Sequence, residues 1–313
     1  MEGTEIKMTD LKFKPVEAED MKVLAPYFGL RPNKTCDSVP LDSFIWRKYY
    51  HVRYAIHENK ALLWLMKEDG VMHSAMPLCK EEDLKKYFDM TVEYFNQVLH
   101  IPFKIYLADE EAIEFLHLKE SEDFVVTEQE DLKDYLYDGE AMRKLSGKKL
   151  HKKKNHLNAF LKEYEGRYEF RRLCCSDRDD VWRFLDRWRE RKGDEVEEHL
   201  DYEVEGIHEI LKQCLDLDIR MSGVYIDGKL EAFTIGSYNQ AENMAVIHIE
   251  KANPEIRGLY QFINQQFLVQ EFPDVTLVNR EDDLGQEGLR HAKMSYNPCE
   301  FARKYLVQQK NFK

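Results

Sequence analysis

The sequence predicts an α+β fold in which two tandem domains of similar topology each contain a mixed, mostly antiparallel sheet flanked by helices. Three observations predict it. The 313 residues are enough for roughly two domains of about 150 residues each. Short apolar strands alternate with amphipathic helices along the chain. The same order of three strands, a helix, a strand, an acidic cluster and a further helix occurs in both halves.

In the first half, residues 52–66 are predicted to form two strands joined by a turn, because the polar tripeptide at 58–60 interrupts two apolar runs. A third strand follows the turn dipeptide Asp69-Gly70. An amphipathic helix is predicted over about 81–98 from apolar residues at helical spacing: Leu84, Phe88, Val92 and Phe95. A strand at 103–107 then leads to an acidic cluster and a short helix through Phe115.

The second half repeats this order, with strands predicted at residues 222–226, 230–238, 244–249 and 275–278. A helix beginning near Leu259 connects the last two strands, and helices at about 17–28 and 178–191 precede the two sheets. The predicted boundary lies near Gly147, which separates an N-terminal domain at 1–146 from a C-terminal domain at 147–313.

The net charge of −13 argues against a protein that binds nucleic acid with its whole surface. A local exception is the run at residues 143–154, where seven of twelve residues are Lys or Arg. On a helix near 143–164, this run would form a positive stripe that can contact the phosphates of RNA, a cofactor or a lipid headgroup. A solvated linker surface is the alternative.

The N-terminal residues contain no apolar signal core, and no run in the chain approaches the ~20 apolar residues of a membrane span. We therefore expect a cytoplasmic protein. The six cysteines form no Cys-x-x-Cys pair, so we expect reduced thiols and no zinc site.

Charged residues of both signs follow two strands that we expect to be neighbours. The strand at 275–278 leads into Asn279, Arg280 and Glu281, and the strand at 244–249 ends in Glu250 and Lys251. Parallel strands joined by a crossover helix have their carboxyl ends at one edge of a sheet. The sequence therefore predicts a polar cleft at this edge, with a buried salt-bridge network as the alternative.

Arg257 and Gly258 precede the helix that begins near Leu259. A helix N-terminus presents free backbone N–H groups, and glycine allows close approach of an anion. The corresponding loop of the first half, at residues 77–82, has no glycine and is acidic. We therefore place an anion site in the second half and regard the first half as a scaffold or a face for a partner. An ordinary helix start is the alternative.

Four segments carry a resemblance to a known family. They read LSGKKLHKKKNHLNAF at 145–160, HIEKA at 248–252, RGLYQFINQQF at 257–267 and NREDDLGQEGLRHAKMSY at 279–296. Over nearly its whole length, the chain resembles the family named for the C-terminal domain of phosphatidylglycerol lysyltransferase, a domain of unknown function. Such proteins are similar in fold to tandem GNAT acyltransferases, so the resemblance implies two GNAT-like domains.

The resemblance implies transfer of an acyl or aminoacyl group from an anionic donor, aminoacyl-tRNA or acyl-CoA, to an amine or hydroxyl acceptor. No metal or further cofactor is required. In this interpretation Glu250 or Glu281 accepts a proton, and Tyr296 returns one to the leaving group. The groups expected to flank the donor carbonyl or to stabilise an oxyanion are Asn279, Lys251, Arg280 and Lys293. Those expected to bind the donor are Arg257, Gly258, Lys152, Lys153 and Lys154. A non-catalytic ligand-binding or interaction module is the alternative.

Two features depart from the related families. Lipid-modifying members carry a membrane-embedded N-terminal region, for which this sequence has no counterpart. Acetyl-CoA-binding loops usually place a later glycine where this chain has Tyr260, whose side chain would crowd a pyrophosphate.

Overall fold

The computed structural model describes residues 11–192 and 198–312. In chain order the strands are β1 (Lys14–Pro15), β2 (Arg53–His57), β3 (Ala61–Glu68), β4 (Val71–His73), β5 (Lys104–Asp109), β6 (Phe124–Glu128), β7 (Asp134–Asp138), β8 (Tyr168–Arg172), β9 (Arg220–Ile226), β10 (Lys229–Asn239), β11 (Met244–Ala252), β12 (Leu277–Asn279), β13 (Glu300–Ala302) and β14 (Lys304–Gln309). The α-helices are α1 (Met21–Phe28), α2 (Pro40–Ile45), α3 (Leu84–Glu93), α4 (Glu110–Phe115), α5 (Gly139–Lys144), α6 (His151–Glu163), α7 (Arg178–Lys192), α8 (Glu198–Gln213), α9 (Leu259–Glu271) and α10 (Glu287–Met294).

The strands of the N-terminal half form two sheets that meet at one point. One sheet has the order β1-β2-β3-β4, and the other has the order β5-β14-β6. They are joined where the backbone N–H of Ser74 donates to the carbonyl of Lys104 at 2.8 Å and that of Tyr106 donates to Ser74 at 3.2 Å. The layer therefore divides beside β5, where Leu107 has a positive φ of 59°.

The C-terminal half contains one sheet with the order β13-β7-β12-β11-β10-β9-β8. All neighbours are antiparallel except β11 and β12, which are parallel. This order has the same form as that of the N-terminal strands, with β14 and β7 at corresponding places. The repeated topology predicted from the sequence is therefore present.

Two strands cross the predicted boundary at residues 146 and 147. Strand β7 lies between β12 and β13 in the C-terminal sheet, and β14 lies between β5 and β6 in the N-terminal half. Each exchanged strand pairs on both sides, which satisfies backbone groups that would otherwise form exposed inner edges. The folding of each half therefore depends on a strand from the other.

A hydrophobic core also joins the halves. Phe44 of α2 belongs to the same buried cluster as Phe184 of α7, Ile207 of α8 and Phe233 of β10. Gly206 of α8 lies against the carbonyl of Ile45, where a Cβ atom would be only 2.8 Å from the carbonyl oxygen. This close approach brings the end of α2, and the loops beside it, next to the C-terminal sheet.

Most of the predicted elements are confirmed, with shifted ends. The hairpin at 52–66, the crossover helix from Leu259 and the helix after the last acidic cluster are present. The strand predicted at 275–278 is shorter and lies at Leu277–Asn279. The basic run does not lie on one helix, because Leu145 and Gly147 adopt positive φ angles between the end of α5 and the start of α6.

The expectation of reduced thiols is wrong for one pair. Cys175 and Cys214 form a disulfide with a Cα–Cα distance of 6.0 Å. Cys175 lies just before α7 and Cys214 just after α8, and the packing of these helices brings the two sulfurs together. Across residues 11–192 and 198–312, no helix is both long and apolar enough to cross a membrane.

Candidate active site

The predicted cleft is present at the diverging ends of β11 and β12. These strands pair only from Met244 with Leu277 to Val246 with Asn279. Beyond that point β11 continues to Ala252. The segment that follows β12 turns away from it at Glu281, whose φ is 59°. The divergence contributes to a cavity of about 740 Å³, which is also bordered by α10 and by the loop that leads into α2. We call this cavity the cleft.

A β-bulge places a histidine at the wall of the cleft. Ile235 of β10 faces Ile249, and its neighbour Gly236 faces Ile247, so His248 has no partner in the ladder. Bulges re-aim side chains and are common beside active sites. The Nε2 atom of His248 lies 2.8 Å from Ser237 Oγ, and its Nδ1 atom lies 2.8 Å from Glu281 Oε1.

Burial shifts the pKa values of both His248 and Glu281. Burial lowers the pKa of His248 to about 3, so the ring is neutral at physiological pH. Burial raises the pKa of Glu281 well above its usual value, and the nearby Lys293 ammonium opposes that rise. When Glu281 is ionised, the Nδ1–H of His248 donates to it and Nε2 accepts from Ser237. The Glu281 side chain is 21% exposed, so its carboxyl group is both desolvated and open to the cleft.

The other predicted acid, Glu250, is an ion-pair partner. Arg280 donates to one carboxylate oxygen at 2.8 Å, and the Asn264 side chain donates to the other at 2.7 Å. Burial acts to lower the pKa of Arg280, but Glu250, Tyr137 and Tyr296 together outweigh it and the net shift is upward. The guanidinium also lies 4.8 Å from the ring centroid of Tyr296. Its Nη1 atom is buried and has no hydrogen-bond partner among the described residues.

The two predicted lysines of the cleft are also engaged. Lys251 donates to Glu203 of α8 at 3.1 Å and lies 4.1 Å from the ring centroid of Trp188. Lys293 donates to the carbonyls of Arg280 and Asp282, which holds the loop after β12 in place. Burial lowers the pKa of Lys293. Both lysines line the cleft, but each already has protein partners.

Tyr296 combines burial with access to the cleft. Burial raises the pKa of its phenol to about 12, which keeps the hydroxyl protonated at physiological pH. The ammonium of Lys153 lies 4.2 Å from the centroid of its ring. Burial, followed by the charge of Arg280, lowers the pKa of Lys153.

Asn279 does not line the cleft. Its side chain is fully buried and donates to the Lys34 carbonyl at 2.8 Å and to Asp134 at 3.0 Å. It also accepts from the backbone N–H of Glu281 at 2.6 Å. The amide therefore fixes the turn that presents Glu281.

The residues predicted to bind an anion are dispersed. Arg257 is exposed and does not line the cleft. Gly258 has a φ of 83° and lies directly against the carbonyl of His156 on α6, so that its lack of a side chain serves helix packing. Lys152 is exposed, Lys154 donates to the Lys144 carbonyl at 3.3 Å, and Lys153 alone of these residues lines the cleft.

The family assignment rests on nearly the whole chain. A sequence profile for the C-terminal domain of phosphatidylglycerol lysyltransferase matches residues 37–308. The chain belongs to this family. The resemblance drawn from the four sequence segments is therefore confirmed.

Two solved structures are similar in fold to this chain, and one further protein is similar in sequence. A conserved protein of unknown function from Bacteroides thetaiotaomicron has a TM-score of 0.87 at 26% identity, with 96% of this chain and 100% of that chain covered. L-PGS from Bacillus licheniformis has a TM-score of 0.68 at 15% identity, with coverages of 95% and 94%. An uncharacterised protein from Mycoplasmoides gallisepticum is 26% identical over 234 residues, which are 74% of this chain and 73% of that protein. The expected tandem GNAT-like fold is confirmed.

In this member of the family, several residues at the floor of the cleft had not been predicted. Lys304 is buried 2.8 Å from Asp134 and 3.1 Å from Cys36 Sγ. Cys36, Asp42 and Glu281 each have one ligand-type atom within 4.8 Å of the others. Burial raises the pKa of Cys36, and a lysine ammonium already lies beside its sulfur, so these residues fit a divalent cation poorly.

The sequence does carry a signal for His248, because a histidine within the apolar strand predicted at 244–249 is unusual. No local sequence pattern indicated that Asp42, Cys36 and Lys304 would line the cleft. They lie far from the cleft residues in sequence, and the strand exchange and the shared core bring them there.

Proposed function

We propose that this chain is an acyl- or aminoacyltransferase whose reaction takes place in the cleft. The observation that carries the proposal is the carboxyl group of Glu281, which is desolvated, hydrogen-bonded to a neutral His248 and open to a cavity large enough for a substrate. A raised carboxyl pKa suits proton transfer near neutral pH. We assign the general base to Glu281 and not to Glu250, which is already bonded to Arg280 and Asn264.

In the proposed reaction, the acceptor nitrogen or oxygen attacks the carbonyl carbon of the donor ester or thioester. The acceptor proton moves to Glu281 as the new bond forms. Negative charge develops on the carbonyl oxygen, and we assign its stabilisation to the guanidinium of Arg280, whose side chain lines the cleft and is 14% exposed. Lys251 and Lys293 already have protein partners and contribute positive potential.

The bond from the carbonyl carbon to the leaving oxygen or sulfur then breaks. Tyr296 is the acid that we assign to the leaving group, because its pKa of about 12 keeps the phenol protonated. Arg280, 4.8 Å from the ring centroid, would stabilise the tyrosinate that forms. Positioning, proton transfer and charge stabilisation supply the chemistry.

Aminoacyl-tRNA is the donor that we favour. Lys153 lies beside the cleft on the same helix as the exposed Lys152, so that a phosphate chain can follow α6 towards Tyr296. The backbone of Gly258, by contrast, is covered by His156, and Tyr260 lines the cleft where a pyrophosphate would approach. Acyl-CoA is the alternative donor.

The test supplies purified protein with tRNA charged with labelled amino acids, or with labelled acetyl-CoA, and a mixture of small amines and alcohols. Transfer products are identified by mass spectrometry. We expect product from aminoacyl-tRNA and a loss of about 10²- to 10⁴-fold in Glu281→Gln. Glu287→Gln, an exposed glutamate of α10, is the matched control. Ligand binding without turnover would support a non-catalytic module, and unchanged turnover in Glu281→Gln would remove the assigned base.

A further inference from the structure

A second cavity lies in the N-terminal half and has no role in the chemistry above. It has a volume of about 280 Å³ and lies among α2, β3, β4 and β5. We call it the N-terminal cavity. The seven residues that line both this cavity and the cleft are Asp37, Asp42, Trp46, Tyr50, Leu107, Leu132 and Leu284. The two cavities are therefore adjacent.

The shared wall lies next to the proposed base. The carboxyl groups of Asp42 and Glu281 have oxygen atoms within 4.8 Å of each other. Asp42 is buried, and burial, followed by the charges of Asp37 and Glu281, raises its pKa well above the usual value. A molecule bound in the N-terminal cavity with its reactive end at Asp42 would present that end to Glu281.

The charged groups around the N-terminal cavity favour a cation. Its acidic lining residues are Asp37, Asp42, Glu68 and Asp109. Of the described lining residues, Arg31 is the only Lys or Arg, and its guanidinium forms two hydrogen bonds to Asp109, at 2.6 Å and 2.5 Å. Lys304 lies 3.6 Å from Asp37 but lines the cleft and not this cavity. An anionic headgroup would find no cation among the described lining residues that is not already paired with a carboxylate.

The remaining surface of the N-terminal cavity is aromatic and aliphatic. The aromatic side chains that line it include Trp46, Tyr49, Tyr50, Trp64 and Tyr106. The faces of such rings attract a cation and also pack against an apolar body. Burial raises the pKa of Tyr50, so its phenol stays neutral beside the acidic residues.

His73 provides a polar group that lacks a partner. Its side chain is 2% exposed and lines the N-terminal cavity, and neither ring nitrogen has a hydrogen-bond partner within the described part of the chain. Burial lowers the pKa of His73 to about 4, so the ring is neutral and can both donate and accept. A buried polar group without a partner is costly, and a ligand that bonds to it recovers that cost.

We propose that the N-terminal cavity is the acceptor subsite and that the acceptor is a primary amine carried on an aromatic or apolar body. This inference rests on the proposed transferase function. The ammonium form is held by the acids and rings and loses one proton to solvent, so that Glu281 remains ionised. The neutral amine then attacks the donor carbonyl carbon and loses its second proton to Glu281, while the bond to the leaving oxygen breaks and that oxygen gains a proton from Tyr296. The products are an amide and the deacylated donor.

The first experiment measures binding without a donor, by calorimetry, so that it does not depend on turnover. The probes are phenethylamine, 2-phenylethanol, phenylacetate and vesicles of phosphatidylglycerol. We expect phenethylamine to bind at least about tenfold more tightly than its alcohol and carboxylate analogues. Equal binding of the alcohol, or binding of the vesicles without the amine, would overturn the inference.

Variants then locate the binding. Asp42→Asn and Trp46→Phe should each weaken phenethylamine binding by about tenfold, whereas Glu281→Gln should retain it. Glu82→Gln is the matched control, because Glu82 is a highly exposed acid of the same half. Thermal unfolding of each variant establishes that it is folded. Amine binding by the native protein without turnover of any donor counts against the transferase proposal alone, and turnover restricted to hydroxyl acceptors counts against the amine subsite alone.

Discussion

The carboxyl groups of Asp42 and Glu281 lie within 4.8 Å of each other, although one belongs to α2 and the other to the loop after β12. Burial raises the pKa of both groups well above the usual values. Like charges at such a distance oppose simultaneous ionisation, so the pair retains a proton to a higher pH than either acid would alone. This shared proton lies where the cleft and the N-terminal cavity meet.

The first prediction concerns the pH dependence of transfer. A general base acts only when it is deprotonated, so kcat/KM should rise with pH through the raised pKa of Glu281 and level off above it. Glu281→Gln should lower the plateau by about 10²- to 10⁴-fold and abolish this limb. A pH profile of kcat/KM checks both. An unchanged limb in Glu281→Gln would assign the titration to another group.

The second prediction assigns His248 a positioning role. Its Nδ1–H stabilises ionised Glu281, so His248→Phe should raise the pKa of Glu281 and move the acidic limb to higher pH. Ser237→Ala should move it in the same direction by less, because it removes only the bond to Nε2. A uniform fall in rate without movement of the limb would contradict this role and indicate a purely structural effect.

The third prediction separates the two interpretations of Gly258. A Cβ atom at this position would overlap the His156 carbonyl, and the φ of 83° is strained for other residues. Gly258→Ala should therefore lower the free energy of unfolding by about 2 to 4 kcal/mol, as overpacking is added to backbone strain. Gly228→Ala is the control, since Gly228 has a φ of 78° but no atom near its Cβ position. Urea unfolding measures both. Equal costs would show that α6 is not the constraint.

The fourth prediction concerns the basic residues of α6. Replacing Lys152, Lys153 and Lys154 by Gln should weaken tRNA binding and reduce the dependence of log K on log salt by about 0.7 to 0.9 for each phosphate that is no longer neutralised. Lys153→Gln should have the largest effect on transfer, because Lys153 alone of the three lines the cleft. If neither affinity nor salt dependence changes, aminoacyl-tRNA loses its main support as the donor.

The fifth prediction uses the raised pKa of Asp42. Because the folded-state pKa exceeds the unfolded value, the folded protein binds more protons, and ionisation of Asp42 reduces stability as pH rises above about 4. Asp42→Asn removes this penalty. The free energy of unfolding of Asp42→Asn minus that of the native sequence should therefore increase between pH 4 and pH 8. A difference that stays constant over this range would mean that Asp42 does not titrate abnormally.

The sequence was sufficient for features that depend on local patterns. The spacing of Leu259, Phe262, Ile263 and Phe267 predicted the crossover helix, because those residues line one face of α9. The charged residues that follow two apolar strands predicted the cleft, since parallel neighbours end at the same edge. The roles of Arg280, Glu281 and Tyr296 in catalysis remain predictions.

Other features depend on contacts between distant segments. Gly258 matched the pattern of an anion site, but it serves the packing of α6 against α9. Glu250 matched the pattern of a general base, but it is paired with Arg280. Likewise, no spacing of cysteines indicated that Cys175 and Cys214 would meet.

By itself, the sequence determined the repeated order of strands and helices and the polar ends of β11 and β12, because hydrophobic periodicity and turn residues act over a few neighbours. The tertiary structure decided that β7 and β14 exchange between the halves and that Asp42 lies beside Glu281. The reason is physical: a buried carboxyl group acquires its pKa and its partners from whatever packs against it, and Asp42 and Glu281, which act on each other, come from opposite halves of the chain.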